Sequence, residues 1–259
     1  MSVPSPRAPR RTATAATPNP AAADDGDALH FCSTCAFSDA CMSQGYDKAA
    51  LGELHVLVDH VGPFHAGDAL FRAGDPFDAI AAVRAGVVKT VHDDAQGNEQ
   101  ILGFHLPGEV IGLSGIHGAR YPCHAVALDT VYLCRFSFPK MSVLATRMPG
   151  LQARLFSLLS AEIGKASVLS APQRTDVRMA AFLLDLSQRY ARRGFSATHV
   201  PLVMARNEIA NYLRMAPETA SRVMRRLADD GLIAVEPRQV VVLQPQRLAA
   251  LAAGDGIED

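Results

Sequence analysis

The sequence predicts an α+β protein made of an N-terminal antiparallel β-roll, a long helix and a C-terminal winged helix-turn-helix. Short β-type runs, such as 86–92 and 99–104, are separated by glycines and polar turns over residues 61–138, which is typical of a small sandwich or roll. After Pro149 the apolar residues recur at helical spacing. Near the C-terminus, two closely spaced helical segments precede a short hairpin, which is the order of a winged helix-turn-helix.

The composition indicates a globular chain with room for two modest domains. It has 259 residues, of which 49% are hydrophobic and 20% are charged. No run approaches the roughly 18 apolar residues that span a bilayer, so we expect no membrane partner. Arg10-Arg11 suggests an export signal, but no apolar segment follows it. We therefore expect a cytoplasmic protein, in which thiols stay reduced.

Changes in composition and period divide the chain into four segments. Residues 1–29 are rich in Ala, Pro, Thr and Asp and are predicted to be a disordered leader. Residues 30–148 hold a cysteine-rich segment and the β-roll. The long helix is expected over 149–171, and the winged helix-turn-helix over 172–259.

The long helix carries one apolar stripe. Its members recur mostly at spacings of three to five residues: Leu151, Leu155, Leu158, Leu159 and Ile163. Such a stripe has to be buried. It can pack on the chain's own β-roll, or on the same helix of a second chain, as in a coiled coil.

The C-terminal segment is predicted to contain three helices and a hairpin. Gly194 and Gly231 supply helix stops, and Pro217 suits the first position of a helix, where a missing N–H costs little. The predicted elements are a helix over 176–192, the two helices of the helix-turn-helix over 205–213 and 217–230, and strands over 233–235 and 240–243.

The second helix of the helix-turn-helix carries a candidate DNA-reading face. Glu218, Ser221 and Arg222 stand at i, i+3 and i+4 near the helix N-terminus, which is the part that enters the major groove. Arg can pair with guanine, and Glu can accept from cytosine. A plain surface ion pair between Glu218 and Arg222 is the alternative. The predicted DNA contacts are Glu218, Thr219, Ser221 and Arg222, with Arg225 and Arg226 on the phosphate backbone.

The distribution of charge favours a polyanionic partner for the C-terminal segment. Residues 30–171 hold 10 Lys and Arg against 13 Asp and Glu, a net charge of −3, whereas residues 172–247 hold 12 Arg against 7 Asp and Glu, a net charge of +5. Because one helix reads only a few base pairs, we expect a homodimer on a palindromic double-stranded site, joined along the apolar stripe. No catalytic motif stands out, so we expect no enzyme.

Three cysteines lie within ten residues, at Cys32, Cys35 and Cys41, and the remaining two are Cys123 and Cys134. In a reducing compartment such a group indicates metal ligands or redox chemistry. Zinc would be possible with His30 as the fourth ligand. A thiol–disulfide switch would use only the CxxC pair, and an iron–sulfur electron carrier would leave the winged helix unexplained.

These motifs together resemble the CRP/FNR transcription regulators, and within them the oxygen-sensing FNR branch. The resemblance covers about residues 31–243. It is carried by Cys32-x2-Cys35-x5-Cys41, GFHLPGEVIG at 103–112, RMAAFLLDLSQRYARRGFS at 178–196 and PETASR at 217–222. It implies a cupin-like, cyclic-nucleotide-binding-domain-like β-roll as the sensor, and contact with RNA polymerase.

The resemblance also implies a cofactor. FNR-type proteins hold an oxygen-labile [4Fe–4S] cluster that favours the DNA-binding dimer, with oxygen or nitric oxide as the signal. Its ligands map onto Cys32, Cys35, Cys41 and Cys134, since the fourth family cysteine follows a run like 127–133 at the end of a strand, and Cys123 lies in a loop.

Two further positions are judged against the family. Cyclic-nucleotide-binding relatives carry an Arg-Ser pair where this chain has Arg120-Tyr121-Pro122-Cys123, so no cyclic nucleotide is expected, and Glu109 is interpreted as structural. Arg214 stands where the turn commonly has glycine, so we expect either a strained positive φ or a slightly different turn.

Overall fold

A computed structural model describes residues 53–54, 57–170 and 173–254, with the side chains of 167–170 excepted. The predicted leader and the predicted ligands Cys32, Cys35 and Cys41 lie outside these residues. Within the described part of the chain, no helix combines the length and the apolar character needed to cross a membrane.

The N-terminal domain is an antiparallel β-roll of two four-stranded sheets, as predicted. One sheet has the order β1-β8-β3-β6 and the other β2-β7-β4-β5. The strands are β1 (Val58–Phe64), β2 (Ala69–Phe71), β3 (Ala79–Ala85), β4 (Val88–Asp93), β5 (Glu99–His105), β6 (Val110–Ile111), β7 (His124–Ala127) and β8 (Val131–Ser137), with a 3-10 helix at Leu113–Ile116.

The first five residues of β3, 79–83, are buried on both faces of the strand, which explains why all five are apolar. Ala81 and Val83 point between the two sheets, where they join residues of both sheets. Ile80 and Ala82 point the opposite way, because successive side chains of a strand alternate. There they enter a second cluster, here called the helix-side cluster: Leu54, Ile80, Ala82, Val110, Leu113, Phe136, Met141, Leu144 and Leu151.

Two consecutive helices cover this face of the roll. Helix α1 (Phe138–Arg147) was not predicted, and α2 (Pro149–Ser170) is the predicted long helix. Met141 of α1 and Leu151 of α2 are both fully buried in the helix-side cluster. The first turn of the long helix therefore belongs to the core of its own β-roll.

The C-terminal domain is a winged helix-turn-helix, and the predicted elements are confirmed to within one residue. Two elements were not predicted: a third strand that pairs with the hairpin, and a terminal helix. In chain order the elements are α3 (Thr175–Ala191), β9 (His199–Pro201), α4 (Arg206–Tyr212), α5 (Pro217–Asp229), β10 (Ile233–Val235), β11 (Gln239–Val242) and α6 (Pro245–Ala253).

The turn between α4 and α5 places Arg214 at φ 51°, so of the two alternatives the structure has the positive φ. The amide of Arg214 donates to the carbonyl of Asn211 and the amide of Met215 to that of Ala210, which is a Schellman ending. Arg178 of α3 donates to the carbonyl of Leu213 at 2.6 Å. Tertiary contacts thus hold a non-glycine residue in a conformation that costs roughly 1–2 kcal/mol.

The two domains of the chain pack directly on each other. Apolar residues of the second sheet, among them Ile101 and Phe104, share one continuous cluster with Met179, Phe182 and Leu213 of the C-terminal domain.

A buried ion pair crosses this boundary. The Glu109 carboxylate of the β-roll accepts hydrogen bonds from the guanidinium groups of Arg189 at 2.6 Å and Arg193 at 2.7 Å. Burial alone would raise the pKa of the Glu109 carboxyl, but the two guanidinium groups outweigh it and lower the pKa to about 2. Glu109 is thus ionised and structural, as the sequence suggested.

His105 is a buried neutral base beside this boundary. Its Nε2 lies 3.1 Å from the hydroxyl of Thr90. Burial lowers the pKa of His105 to about 4; Glu109 and Glu162 oppose that shift, while Arg189 and Lys165 add to it.

We predict that Arg214→Gly raises the free energy of unfolding by up to about 1 kcal/mol, because glycine adopts a positive φ without steric cost. The exposed Arg214 side chain contributes little that would be lost. Chemical denaturation measures the change. Arg225→Gly, at an exposed position inside α5, is the matched control and should lower stability by about 1 kcal/mol. Equal losses in both variants would contradict the strained turn.

His105 also predicts a pH dependence of stability. In the unfolded chain the imidazole gains a proton near pH 6.5, whereas in the folded chain it stays neutral until about pH 4. The contribution of neutral His105 to the free energy of unfolding is complete above pH 6.5. It is lost as the pH falls from 6.5 to about 4, by roughly 1.4 kcal/mol per pH unit.

Denaturation at several pH values checks this expectation. His105→Gln should remove this part of the slope, and His117→Gln, at an exposed site in the same domain, should keep it. Identical slopes for wild type and His105→Gln would show that His105 is not the group responsible.

Candidate nucleic-acid interface and cysteine site

Helix α5 has one buried and one exposed face. Its buried side packs Ala220, Val223, Met224 and Leu227 into the domain core. The predicted base-reading residues Glu218, Ser221 and Arg222 are all exposed on the other side, and Thr219 is half-buried. The structure therefore brings the predicted DNA contacts together on one accessible surface near the helix N-terminus.

The side chains on this surface differ in what they can offer to a base. Among the described residues, Glu218 and Arg222 form no ion pair with each other, so the plain surface pair is not what the structure contains. Ser221 donates its hydroxyl hydrogen to the carbonyl of Pro217 at 3.0 Å. Ser221 can therefore accept a hydrogen bond from DNA, while Arg222 can donate.

Arg226 has an intramolecular partner that sequence reasoning missed. Its guanidinium lies 2.8 Å from Asp176, a carboxylate only 4% exposed at the start of α3, which also binds Arg174 at 2.8 Å. Burial raises the pKa of Asp176, but the Val177 amide and the two arginines lower it by more. The net pKa is below the ordinary value, so Asp176 is ionised. This pair fixes α5 against α3. Arg225 is exposed as well, and within the described residues it forms no ion pair.

The structure corrects the expected dimer stripe at one end. Leu151 is fully buried in the helix-side cluster and is not available to a partner. Leu155, Leu158 and Leu159 are half-buried against that cluster. Ile163 is 68% exposed, and Phe156, which was not predicted, is 61% exposed. Phe156 and Ile163 are seven residues apart, two helical turns, and so share one face.

Cys134 lies in the middle of β8, opposite His60 of β1 and Ala82 of β3. The expectation that it ends a strand is therefore wrong. Its half-buried thiol packs against the helix-side cluster, because it alternates with Leu133, which points between the sheets. The sulfur is 3.6 Å from Nδ1 of His60.

Cys123 has a different setting. It is 4% exposed and lies in the loop before β7, with its sulfur 3.9 Å from the hydroxyl of Ser114. Burial raises the pKa of the Cys123 thiol. A thiol held in its protonated form is a poor metal ligand.

The described residues alone do not assemble a metal site. No three His, Cys, Asp or Glu side chains converge within this part of the chain. Three of the four predicted ligands lie outside it, so Cys134 is the one member whose surroundings the structure shows. Cys134 is half-buried beside the helix-side cluster, and cysteine sulfur is the usual ligand of iron–sulfur clusters.

Comparison with known proteins assigns both domains. Residues 62–147 match the cyclic nucleotide-binding domain, and residues 177–251 match the Crp-like helix-turn-helix domain. The structure is similar to that of FixK2 from Bradyrhizobium japonicum, with a TM-score of 0.69 and 25% identity over 78% of this chain and 99% of that one.

Two relatives match most of the sequence. The transcriptional activator protein anr of Pseudomonas aeruginosa is 40% identical over 226 residues, covering 86% of this chain and 93% of the relative. The fumarate and nitrate reduction regulatory protein of Escherichia coli is 34% identical over 230 residues, covering 88% and 92%. These relatives are transcription regulators, which confirms the prediction that the chain is not an enzyme. The chain belongs to the CRP/FNR family of DNA-binding transcription regulators, among its FNR-type members.

Proposed function

We propose that the protein is a cytoplasmic, homodimeric transcription activator that responds to oxygen, or to nitric oxide, through a [4Fe–4S] cluster on Cys32, Cys35, Cys41 and Cys134. It would bind a palindromic DNA site, contact RNA polymerase and need no cyclic nucleotide. The observation that carries the proposal is the position of Cys134, whose thiol packs on the same cluster as the dimer helix.

Residues from three parts of the chain meet in that cluster. Leu54, which follows the N-terminal cysteines, is 1% exposed, and Leu57 packs beside it. Leu151 and Leu155 of α2 lie in the same cluster. A group bound by the N-terminal cysteines and Cys134 would therefore hold the segment around Leu54 against the first turns of α2.

The proposed cofactor fits this chemistry. Four cysteine thiolates are the usual ligands of a [4Fe–4S] cluster. When bound, the cluster would supply a redox-active group that oxygen destroys. The chain's cysteines would link its N-terminal segment to β8. Loss of that link would weaken the packing of the N-terminal segment against α2. Loss of the link thus shifts the population away from the dimer.

The dimer is proposed to form along the outer face of α2. Phe156 and Ile163 are large, apolar and exposed, and the half-buried Leu155, Leu158 and Leu159 flank them. Pairing this face with its copy would remove both side chains from water. It would also place two reading helices on the two half-sites of a palindrome.

DNA recognition is proposed to divide between base and backbone contacts. Arg222 would donate to guanine, Glu218 would accept from cytosine, and Ser221 and Thr219 would support them. Arg225 would contact phosphate. Arg226, through Asp176, would chiefly hold the reading helix in place.

We predict that Cys134→Ser loses most of its iron and sulfide, because serine cannot supply the fourth thiolate. Anaerobic purification, with iron and sulfide analysis and a visible spectrum before and after exposure to air, measures this. Cys123→Ser is the matched control and should keep the iron, since the Cys123 thiol is buried and its pKa is raised.

The same measurement separates the alternatives. A colourless anaerobic protein with stoichiometric zinc would replace the cluster with a zinc site, and a metal-free protein with reversible thiol oxidation would indicate a thiol switch. Loss of iron in Cys123→Ser, but not in Cys134→Ser, would overturn the ligand assignment.

For DNA binding, Arg222→Ala is expected to cost about 1–3 kcal/mol at one base step and to relax the preference there. Arg225→Ala should instead weaken binding evenly across sequences and reduce the salt slope by about one. Binding to a set of operator variants at several salt concentrations measures both. An unchanged preference in Arg222→Ala would remove it from the base-reading face.

A further inference from the structure

The boundary between the β-roll and the winged helix carries a set of directional polar contacts that neither the cysteine site nor the DNA surface uses. They join Glu109 to Arg189 and Arg193, Asn211 to strand β5, and Lys89 to Glu208. These three contacts are here called the interdomain lock. Each joins residues about 80 or more positions apart in the chain.

The first contact is a largely buried carboxylate between two arginines. The side chains of Arg189 and Arg193 are only 10% and 3% exposed. Arg189 also donates to the carbonyl of Phe104 at 2.5 Å, and Arg193 to that of Pro107. A guanidinium donates in a fixed fork, so these bonds are satisfied together in one orientation of α3 on the roll.

The second contact uses the free edge of a sheet. Strand β5 pairs with β4 on one side only. On its other side Asn211 of α4 accepts from the amide of Ile101 and donates to the carbonyl of Glu99, each at 2.7 Å. Gln100 returns a hydrogen bond to the carbonyl of Asn211 at 3.0 Å. The carboxamide thus takes the place of a neighbouring strand and sets the register of α4 on β5.

The third contact is an ion pair. Lys89 Nζ is 2.8 Å from Glu208, and both side chains are largely buried. Between the polar contacts, Phe104 of the roll meets Phe182 and Tyr212 with ring centroids 6.3 and 5.3 Å apart. The boundary therefore combines polar bonds with an apolar contact, and a rotation of either domain would break several directional bonds at once.

The lock also determines where the reading helix lies. Arg226 of α5 is bonded to Asp176 of α3, and α3 is bonded to the roll through Arg189 and Arg193. The first turn of α2 is in turn buried in the roll through Leu151. In a homodimer joined along α2, these links fix the distance and angle between the two reading helices.

We propose that the interdomain lock sets the half-site spacing that the protein accepts, so that Glu109 and Asn211 determine specificity without touching DNA. This rests on the proposed homodimer. One added base pair moves a half-site by about 3.4 Å along the axis and by about 35° around it. A locked pair of reading helices cannot follow that movement, whereas a pair on loosened domains can.

The test uses duplexes that carry two copies of the half-site selected by the wild-type protein, with spacings shortened or lengthened by one or two base pairs. A duplex with a single half-site is included. We expect anaerobic wild-type protein to bind altered spacings at least about tenfold more weakly. In Glu109→Gln and in Asn211→Ala this ratio should fall to about threefold or less, with single-site binding unchanged.

Matched controls separate the lock from general damage. Asp185→Asn removes the charge of a second carboxylate that pairs with Arg189, one that lies within α3 itself. Asn98→Ala removes one carboxamide hydrogen bond inside the β4–β5 turn. Both should keep the wild-type spacing preference. Asn211→Ala removes no charge, so it keeps the test valid should Glu109→Gln fail to fold.

The outcomes distinguish the two proposals. If wild-type protein shows no preference for two half-sites over one, the homodimer on a palindrome is wrong, and the spacing proposal fails with it. If wild type selects a spacing and both lock variants select it as sharply, only the role of the lock is wrong.

Discussion

Alternation of side chains along β3 and β8 is the constraint on which the arrangement of this protein depends. Because neighbouring residues point to opposite faces, Leu133 fills the space between the sheets while Cys134 faces α1 and α2. A shift of register by one residue would turn the thiol into the core. The position of the candidate sensing group is thus set by the packing of its neighbours.

The roll separates two tasks by using its two outer faces. The sheet that contains β8 carries α1 and α2, and with them the candidate ligand and the proposed dimer surface. The sheet that contains β5 carries the DNA-binding domain through Phe104 and its neighbours. A change at Cys134 therefore has a short route to the dimer helix. Cys134 and the buried face of the reading helix belong to different clusters of the described residues, which agrees with the proposed control of DNA binding through association of two chains.

Local signals in the sequence predicted the DNA-binding domain well, and contacts between distant residues explain what was missed. Pro217 and Gly231 mark the ends of α5 to within one residue. Strand β9 has three residues, too few to show a period, and exists because β11 pairs with it. The burial of Leu151 and the pairing of Arg226 with Asp176 depend on residues far away in the chain. Spacing along a helix cannot reveal either.

The bonds that Asn211 makes to β5 have a further consequence for the behaviour of the chain in a crowded cell. A free strand edge is a template for pairing with another molecule, and proteins usually cover or charge such edges. Here the amide of Ile101 and the carbonyl of Glu99 are already occupied by Asn211. The DNA-binding domain thus protects the β-roll from edge-to-edge aggregation, so a β-roll produced without its partner domain would be prone to assemble into sheets between molecules.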